Sequence, residues 1–198
     1  MAITLWAARL DRPLTAGERA KLLEALPLER RHRLSGPPEK QAEILCAYWI
    51  LRRALEEQYQ WRELPLMETT PLGKPFFPDW PQVCFSVSHT AGAVLAGVSD
   101  QPIGVDIQAF RPVSRRLLAR MGAPAEEEFF RLWVRREARG KRTGRGVGAF
   151  LREEPPLAPD ETYRPLELFP GYAAGVSAGA GQTVGRARVL SLTEMLAL

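Results

Sequence analysis

Ala96-Gly97-Val98-Ser99, followed after a short turn by Ile103-Gly104-Val105-Asp106-Ile107-Gln108, is the stretch on which the fold turns. Its first part returns near the other end of the chain as Ala174-Gly175-Val176-Ser177, followed by Val184-Gly185. Short apolar, β-branched runs between turn residues read as strands. Upstream, Val83, Phe85 and Val87 alternate as in another strand. Farther upstream, Thr15-Ala16-Gly17-Glu18 has the form of a capping box and opens a helix to about Arg31. Pro38 suits a first helical position, and Ala42, Leu45, Cys46, Trp49 and Ile50 keep helical spacing to about Gln60. Residues 65 to 81 hold several prolines and read mostly as loop.

After Gln108 the order repeats. A helix is predicted from Pro124 to about Lys141, opened by Glu126-Glu127-Glu128, whose charge suits the positive end of a helix dipole. Gly144, Gly146 and Gly148 end it. Strands follow over Leu166 to Phe169, Tyr172 to Ser177 and Val184 to Leu190. Helices then strands, twice over, imply an α+β chain of two similar halves, 1–101 and 102–198. An interface between halves is a natural place for a ligand cleft.

Composition narrows the function. The 198 residues are 45% hydrophobic and 25% charged, ordinary for a soluble globule. No apolar run approaches the ~20 residues that cross a bilayer, and the N-terminus lacks the pattern of a secretory signal. A cytoplasmic, monomeric protein is expected, with no membrane partner. Cys46 and Cys84 form no CxxC pair, and His32 and His89 are far apart, which argues against a transition-metal site. The net charge is +4, and only Lys21, Lys40, Lys74 and Lys141 among 27 basic residues are lysine. An arginine-rich chain suits polyanions, but its basic residues are scattered and no aromatic motif reads nucleic acid, so none is expected as partner.

Asp106 lies between Val105 and Ile107 in a run that should be buried, where a carboxylate needs a partner or a metal. Glu137 and Lys141 are four apart on one helical stripe with Trp133. Two acids and an ammonium suit a hard cation and a phosphate ester. No P-loop or GxGxxG occurs.

Five segments in order resemble the 4′-phosphopantetheinyl transferases of the surfactin-synthetase-activating (Sfp) type. They are Asp11-Arg12-Pro13-Leu14, Gly73-Lys74-Pro75, Phe85-Ser86-Val87-Ser88-His89-Thr90, Ile103-Gly104-Val105-Asp106-Ile107, and Trp133…Glu137-Ala138…Lys141 with Thr143-Gly144-Arg145-Gly146. The resemblance implies a pseudo-dimer of two α+β halves with a cleft between them. It implies transfer of 4′-phosphopantetheine from coenzyme A to a serine of an acyl or peptidyl carrier protein, with Mg²⁺, releasing adenosine 3′,5′-bisphosphate. By the same resemblance Asp106 and Glu137 would hold Mg²⁺. Glu137 would also take the serine proton, and Lys141 would stabilise the leaving phosphate. Lys74 and His89 would contact nucleotide phosphates, with Gly73, Pro75 and Ser88 lining the adenine and phosphate wall.

Three positions depart from the family pattern, the smallest change being Arg136, which replaces the usual lysine before Glu137. Gln108 stands where a second acid is usual; its amide oxygen can ligate but adds no charge, and a tenfold looser metal corresponds to about 1.4 kcal/mol. Glu43 lies where many members carry an arginine for the coenzyme A 3′-phosphate, so Arg30, Arg31 or His32 would have to supply that contact. The alternative these departures leave is a weak or inactive homologue that binds coenzyme A or a carrier protein.

Overall fold

The computed structural model describes residues 2–145 and 154–198. It is a mixed α+β structure built around two sheets. Strand β1 (Thr4–Arg9) leads into helices α1 (Ala16–Glu24), α2 (Leu28–Arg31) and α3 (Pro38–Tyr59). A short hairpin, β2 (Glu68–Thr69) and β3 (Pro75–Phe76), precedes β4 (Cys84–Thr90) and β5 (Ala93–Ser99). The order then runs β6 (Gly104–Ala109), α4 (Arg115–Met121), α5 (Glu126–Thr143), β7 (Glu161–Leu166) and β8 (Tyr172–Gly179), closing with β9 (Arg188–Ser191) and α6 (Leu192–Ala197).

The first sheet has the order β4-β5-β1-β9 and the second β6-β8-β7. Alternation along each strand assigns the faces. Trp6, Ala8, Phe85, Val94, Ala96 and Val98 pack with Leu45, Trp49 and Ile50 of α3. The opposite residues, Leu5, Ala7, Ala93 and Leu95, pack against Val105, Ile107, Ala174 and Val176 of the second sheet. Helix α5 covers that sheet's far side, where Phe130 and Val134 meet Ala173. The layers are therefore helix, sheet, sheet, helix. Each fully buried leucine, isoleucine or phenylalanine in them contributes about 1.5–3 kcal/mol.

Several sequence expectations need correction. Helix α1 begins at the Thr15 capping box but ends at Glu24, because Pro27 cannot continue it; Leu28–Arg31 forms a separate turn. Strand β1 was not foreseen, although it runs through the middle of the first sheet. The strand expected over 166–169 ends at Leu166 instead. The C-terminal run yields β9, parallel to β1, and then α6, opened by a Ser191–Glu194 capping box. The last elements thus join the N-terminal sheet, while the division expected near Gln101 falls in the turn between β5 and β6. Gly144 caps α5 with a positive φ; Gly146 and Gly148 lie outside the described residues.

Candidate active site

The site begins at the seam between β4 and β6. The two strands do not pair through their backbones. Residues 86, 88 and 90 of β4 point toward the second sheet, and all three carry hydroxyls. Ser86 Oγ accepts the N–H of Val105 at 3.0 Å, Ser88 Oγ that of Ile107 at 3.2 Å, and Thr90 Oγ1 that of Ala109 at 3.3 Å. These are the edge N–H groups of β6 that face away from β8. Left unpaired in a buried seam they would each cost about 1–3 kcal/mol. The alternation of Phe85-Ser86-Val87-Ser88-His89-Thr90 therefore has two uses, apolar residues toward α3 and hydroxyls toward β6.

Gly104 brings α5 onto this seam. A Cβ there would overlap Ala138 O and Arg142 N, so only glycine lets the helix backbone lie directly on β6. That contact sets Glu137 and Lys141 beside Asp106. The Asp106 side chain is 2% exposed. Its Oδ1 accepts from Ser88 Oγ at 2.6 Å and from Lys141 Nζ at 2.8 Å. Among the described residues its Oδ2 has only Gln108 Nε2 at 3.5 Å, the outer limit of a hydrogen bond. Lys141 Nζ also donates to Val105 O at 3.1 Å and Val87 O at 3.4 Å. Glu137 has no hydrogen-bond partner among the described residues. Burial, and then the neighbouring Asp106 charge, push its carboxyl up to about 7; Lys141 opposes this in part.

A cleft of about 460 Å³ joins these groups to the first half of the chain. Asp106, Gln108, Glu137 and Lys141 face Ser88 and His89 of β4, with Tyr48 and Lys40 of α3 and Arg30 and Arg33 near α2. Arg30 Nε is buried there with no hydrogen-bond partner. His89 Nδ1 lies 3.1 Å from Glu43 Oε2. Burial lowers the His89 pKa and the Glu43 carboxylate offsets this only partly.

The residues expected at the site do not all meet. Asp106, Gln108, Glu137, Lys141, Ser88 and His89 share the cleft. Gly73, Lys74 and Pro75 border a neighbouring cavity of about 190 Å³, which Val87 and Lys141 also line. Lys74 Nζ donates to Arg142 O at 2.9 Å and reaches Ile103 O at 3.5 Å, so it caps the end of α5. Arg31 does not line the cleft. Its guanidinium is committed to Leu26 O and Glu24 O, both at 2.7 Å, closing the end of α1. The cleft arginines are Arg30 and Arg33, of which the sequence reading named only the first.

The donor set fits a divalent cation: two carboxylates and an amide in one cleft, one carboxyl raised by burial and by the charge of the other. Among the described residues no group of three or more His, Cys, Asp and Glu side chains gathers to hold a metal. Any cation would therefore rest on two acids, with Gln108, water and substrate completing its shell.

Comparison with known proteins agrees with this chemistry. A 4′-phosphopantetheinyl transferase of Bacillus subtilis is 24% identical over 184 residues, covering 85% of this chain and 82% of its own. The B. subtilis 4′-phosphopantetheinyl transferase Sfp is 26% identical over 159 residues, covering 72% and 71%. A Synechocystis protein bearing the same transferase name is 31% identical over 189 residues, covering 84% of this chain and 73% of its own. No family model matches the chain. The structure and these relatives define a group-transfer enzyme. The chain belongs to the Sfp-type 4′-phosphopantetheinyl transferase family.

Proposed function

We propose that the protein transfers the 4′-phosphopantetheine group of coenzyme A to a serine of an acyl or peptidyl carrier protein, with Mg²⁺ as cofactor. One observation carries the reading: Asp106, Glu137 and Lys141 meet in a single cleft whose opposite wall is basic. Arg30, Arg33 and Lys40 suit the phosphates of coenzyme A. The similar element orders β1-α1-α3-β4-β5 and β6-α4-α5-β7-β8 support a pseudo-dimer, with this cleft between its halves. Cytoplasmic location and a monomeric state belong to the same proposal.

Asp106 Oδ2, Glu137 and the Gln108 amide would hold the cation. When bound, it neutralises charge on the diphosphate. Glu137 takes the proton of the incoming serine hydroxyl, directly or through water. The serine oxygen forms the new bond to phosphorus as the bond to adenosine 3′,5′-bisphosphate breaks. Lys141, whose three N–H groups are taken by two carbonyls and Asp106, would place its positive charge beside the departing phosphate. His89 lies on the α3 side of the cleft, and Glu43 behind it favours the imidazolium when a phosphate arrives.

The test is incubation of the protein with coenzyme A, Mg²⁺ and a panel of apo carrier domains, followed by mass spectrometry. A phosphopantetheine adduct on a carrier serine, lost when Mg²⁺ is chelated, is the expected result. Coenzyme A binding with no adduct on any carrier would favour a binding-only homologue, for which the Gln108 and Glu43 departures speak.

A further inference from the structure

We infer that Ser88 is the residue that positions Asp106, fixing which carboxylate oxygen is offered to the divalent cation. The inference rests on the metal reading above. A serine hydroxyl has one proton and two lone pairs. The Ser88 proton goes to Asp106 Oδ1 at 2.6 Å, and a lone pair takes the Ile107 N–H at 3.2 Å. Ser88 is 4% exposed, so this hydroxyl is spent inside the seam and has no second proton for a phosphate. Its role differs from the phosphate-wall contact that the sequence resemblance implies.

The consequence falls on Asp106. Rotation about the last torsion of an aspartate is soft and roughly two-fold. Two strong donors on the same oxygen, Ser88 Oγ and Lys141 Nζ, remove that freedom. Oδ1 is saturated and Oδ2 is left toward Gln108, with one contact at 3.5 Å. Gln108 and Asp106 are two apart on β6 and so project from the same face of the strand. With its amide turned over, Gln108 would present Oε1 beside Oδ2, giving a cation two adjacent oxygens. Ser88 thus acts on the ion through Asp106, as residues behind metal ligands commonly do.

Ser86 supplies the control. It makes the same kind of backbone bond one step along the seam, to Val105 N–H, and no hydrogen bond to Asp106. Ser88→Ala and Ser86→Ala each orphan one N–H, but only the first takes a donor from the carboxylate and leaves Lys141 alone on Oδ1. Mn²⁺ binding to the protein without coenzyme A, followed by electron paramagnetic resonance, reads the difference. Ser88→Ala is expected to weaken Mn²⁺ on the order of tenfold, Ser86→Ala to leave it at the wild-type value, and Ser88→Thr to restore it. Ser88→Cys, which keeps the shape but donates poorly, should behave like the alanine variant and serves if that variant does not fold. Metal-free coenzyme A affinity is expected to stay unchanged in Ser88→Ala; a drop there with unaltered Mn²⁺ binding would make Ser88 a phosphate ligand instead. Equal Mn²⁺ affinities in the two alanine variants would overturn the positioning role while leaving the metal site standing. A wild-type protein that takes up no Mn²⁺ would remove both.

Discussion

Arg139 and Glu137 lie two residues apart on α5, and each belongs to a buried charge cluster. Around Arg139 every donor is used. Nε and Nη2 grip Glu161 at 3.0 Å each, Nη1 reaches Glu154 at 2.9 Å and Pro155 O at 2.6 Å, and Nη2 also reaches Pro156 O at 2.9 Å. Ser177 Oγ completes Glu161 at 2.8 Å. Burial alone would raise the Glu161 carboxyl, but the bonds from Arg139 and Ser177 outweigh it and hold its pKa below the usual range. Around Glu137 the balance is opposite: burial and Asp106 raise it to about 7 against the partial opposition of Lys141, and among the described residues no donor bonds to it. A satisfied cluster ties the chain after residue 153 to α5. An unsatisfied one, at the wall of a cleft, is a place for something to bind.

If that contrast is sound, the two clusters should fail differently. Glu137→Gln is expected to lower carrier-protein modification by roughly 10²–10⁴-fold, the usual worth of a positioned proton acceptor, with the circular dichroism spectrum unchanged. Modification at the wild-type rate would take Glu137 out of the chemistry. Arg139→Met should instead destabilise the fold by about 3–5 kcal/mol, because Glu161 would be left buried without its cation, although Glu154 keeps Arg135 and Arg136. A melting temperature equal to wild type would show that this cluster is not structural.

Smaller effects sharpen the contrast. Gln108→Glu adds the missing charge beside Asp106 Oδ2 and is expected to tighten Mg²⁺ about tenfold, or about 1.4 kcal/mol. An unchanged Mg²⁺ requirement for transfer would place Gln108 outside the cation's reach. Glu137 also makes a stability statement. Its carboxyl moves from 4.5 to about 7 on folding. Below both values folded and unfolded chains hold the proton alike; as pH rises through that window the folded state resists ionising and loses stability. Without divalent metal, Glu137→Gln should therefore be more stable than wild type by roughly 1 kcal/mol at pH 8, after allowance for solvent screening, and no more stable at pH 4. Melting curves at the two pH values, with chelator present, check this; a destabilised variant at pH 8 would mean that Glu137 has a partner in the fold.

The sequence made some of this legible and hid the rest for physical reasons. Local signals worked: the Thr15 box, Pro38 at the start of α3, the alternation of β4 and the turn before β6 all describe neighbours in sequence. The pairing of Asp106 with Lys141 was expected only in outline, from the helical stripe and the family resemblance. The hydroxyls of Ser86, Ser88 and Thr90 were in view, but their use needs β6 beside β4, which no local pattern announces. Arg139 looked like any helical arginine, since its partners lie 15 to 22 residues further along the sequence, beyond the reach of helical periodicity. Strand β1 was missed although Leu5 and Ala7 face one layer and Trp6 and Ala8 the other, because a strand buried on both faces shows no alternation. The Ser191–Glu194 box that opens α6 is readable in the sequence, yet no element is expected there beyond the strand that ends at Leu190.

Calorimetric titration of coenzyme A into the protein, with and without Mg²⁺, tests the central claim most directly. Asp106 and Glu137 clasping a cation against the diphosphate require binding that is clearly tighter with the metal, and a metal effect that disappears in Glu137→Gln. Equal affinity for coenzyme A in Mg²⁺ and in chelator would contradict the account.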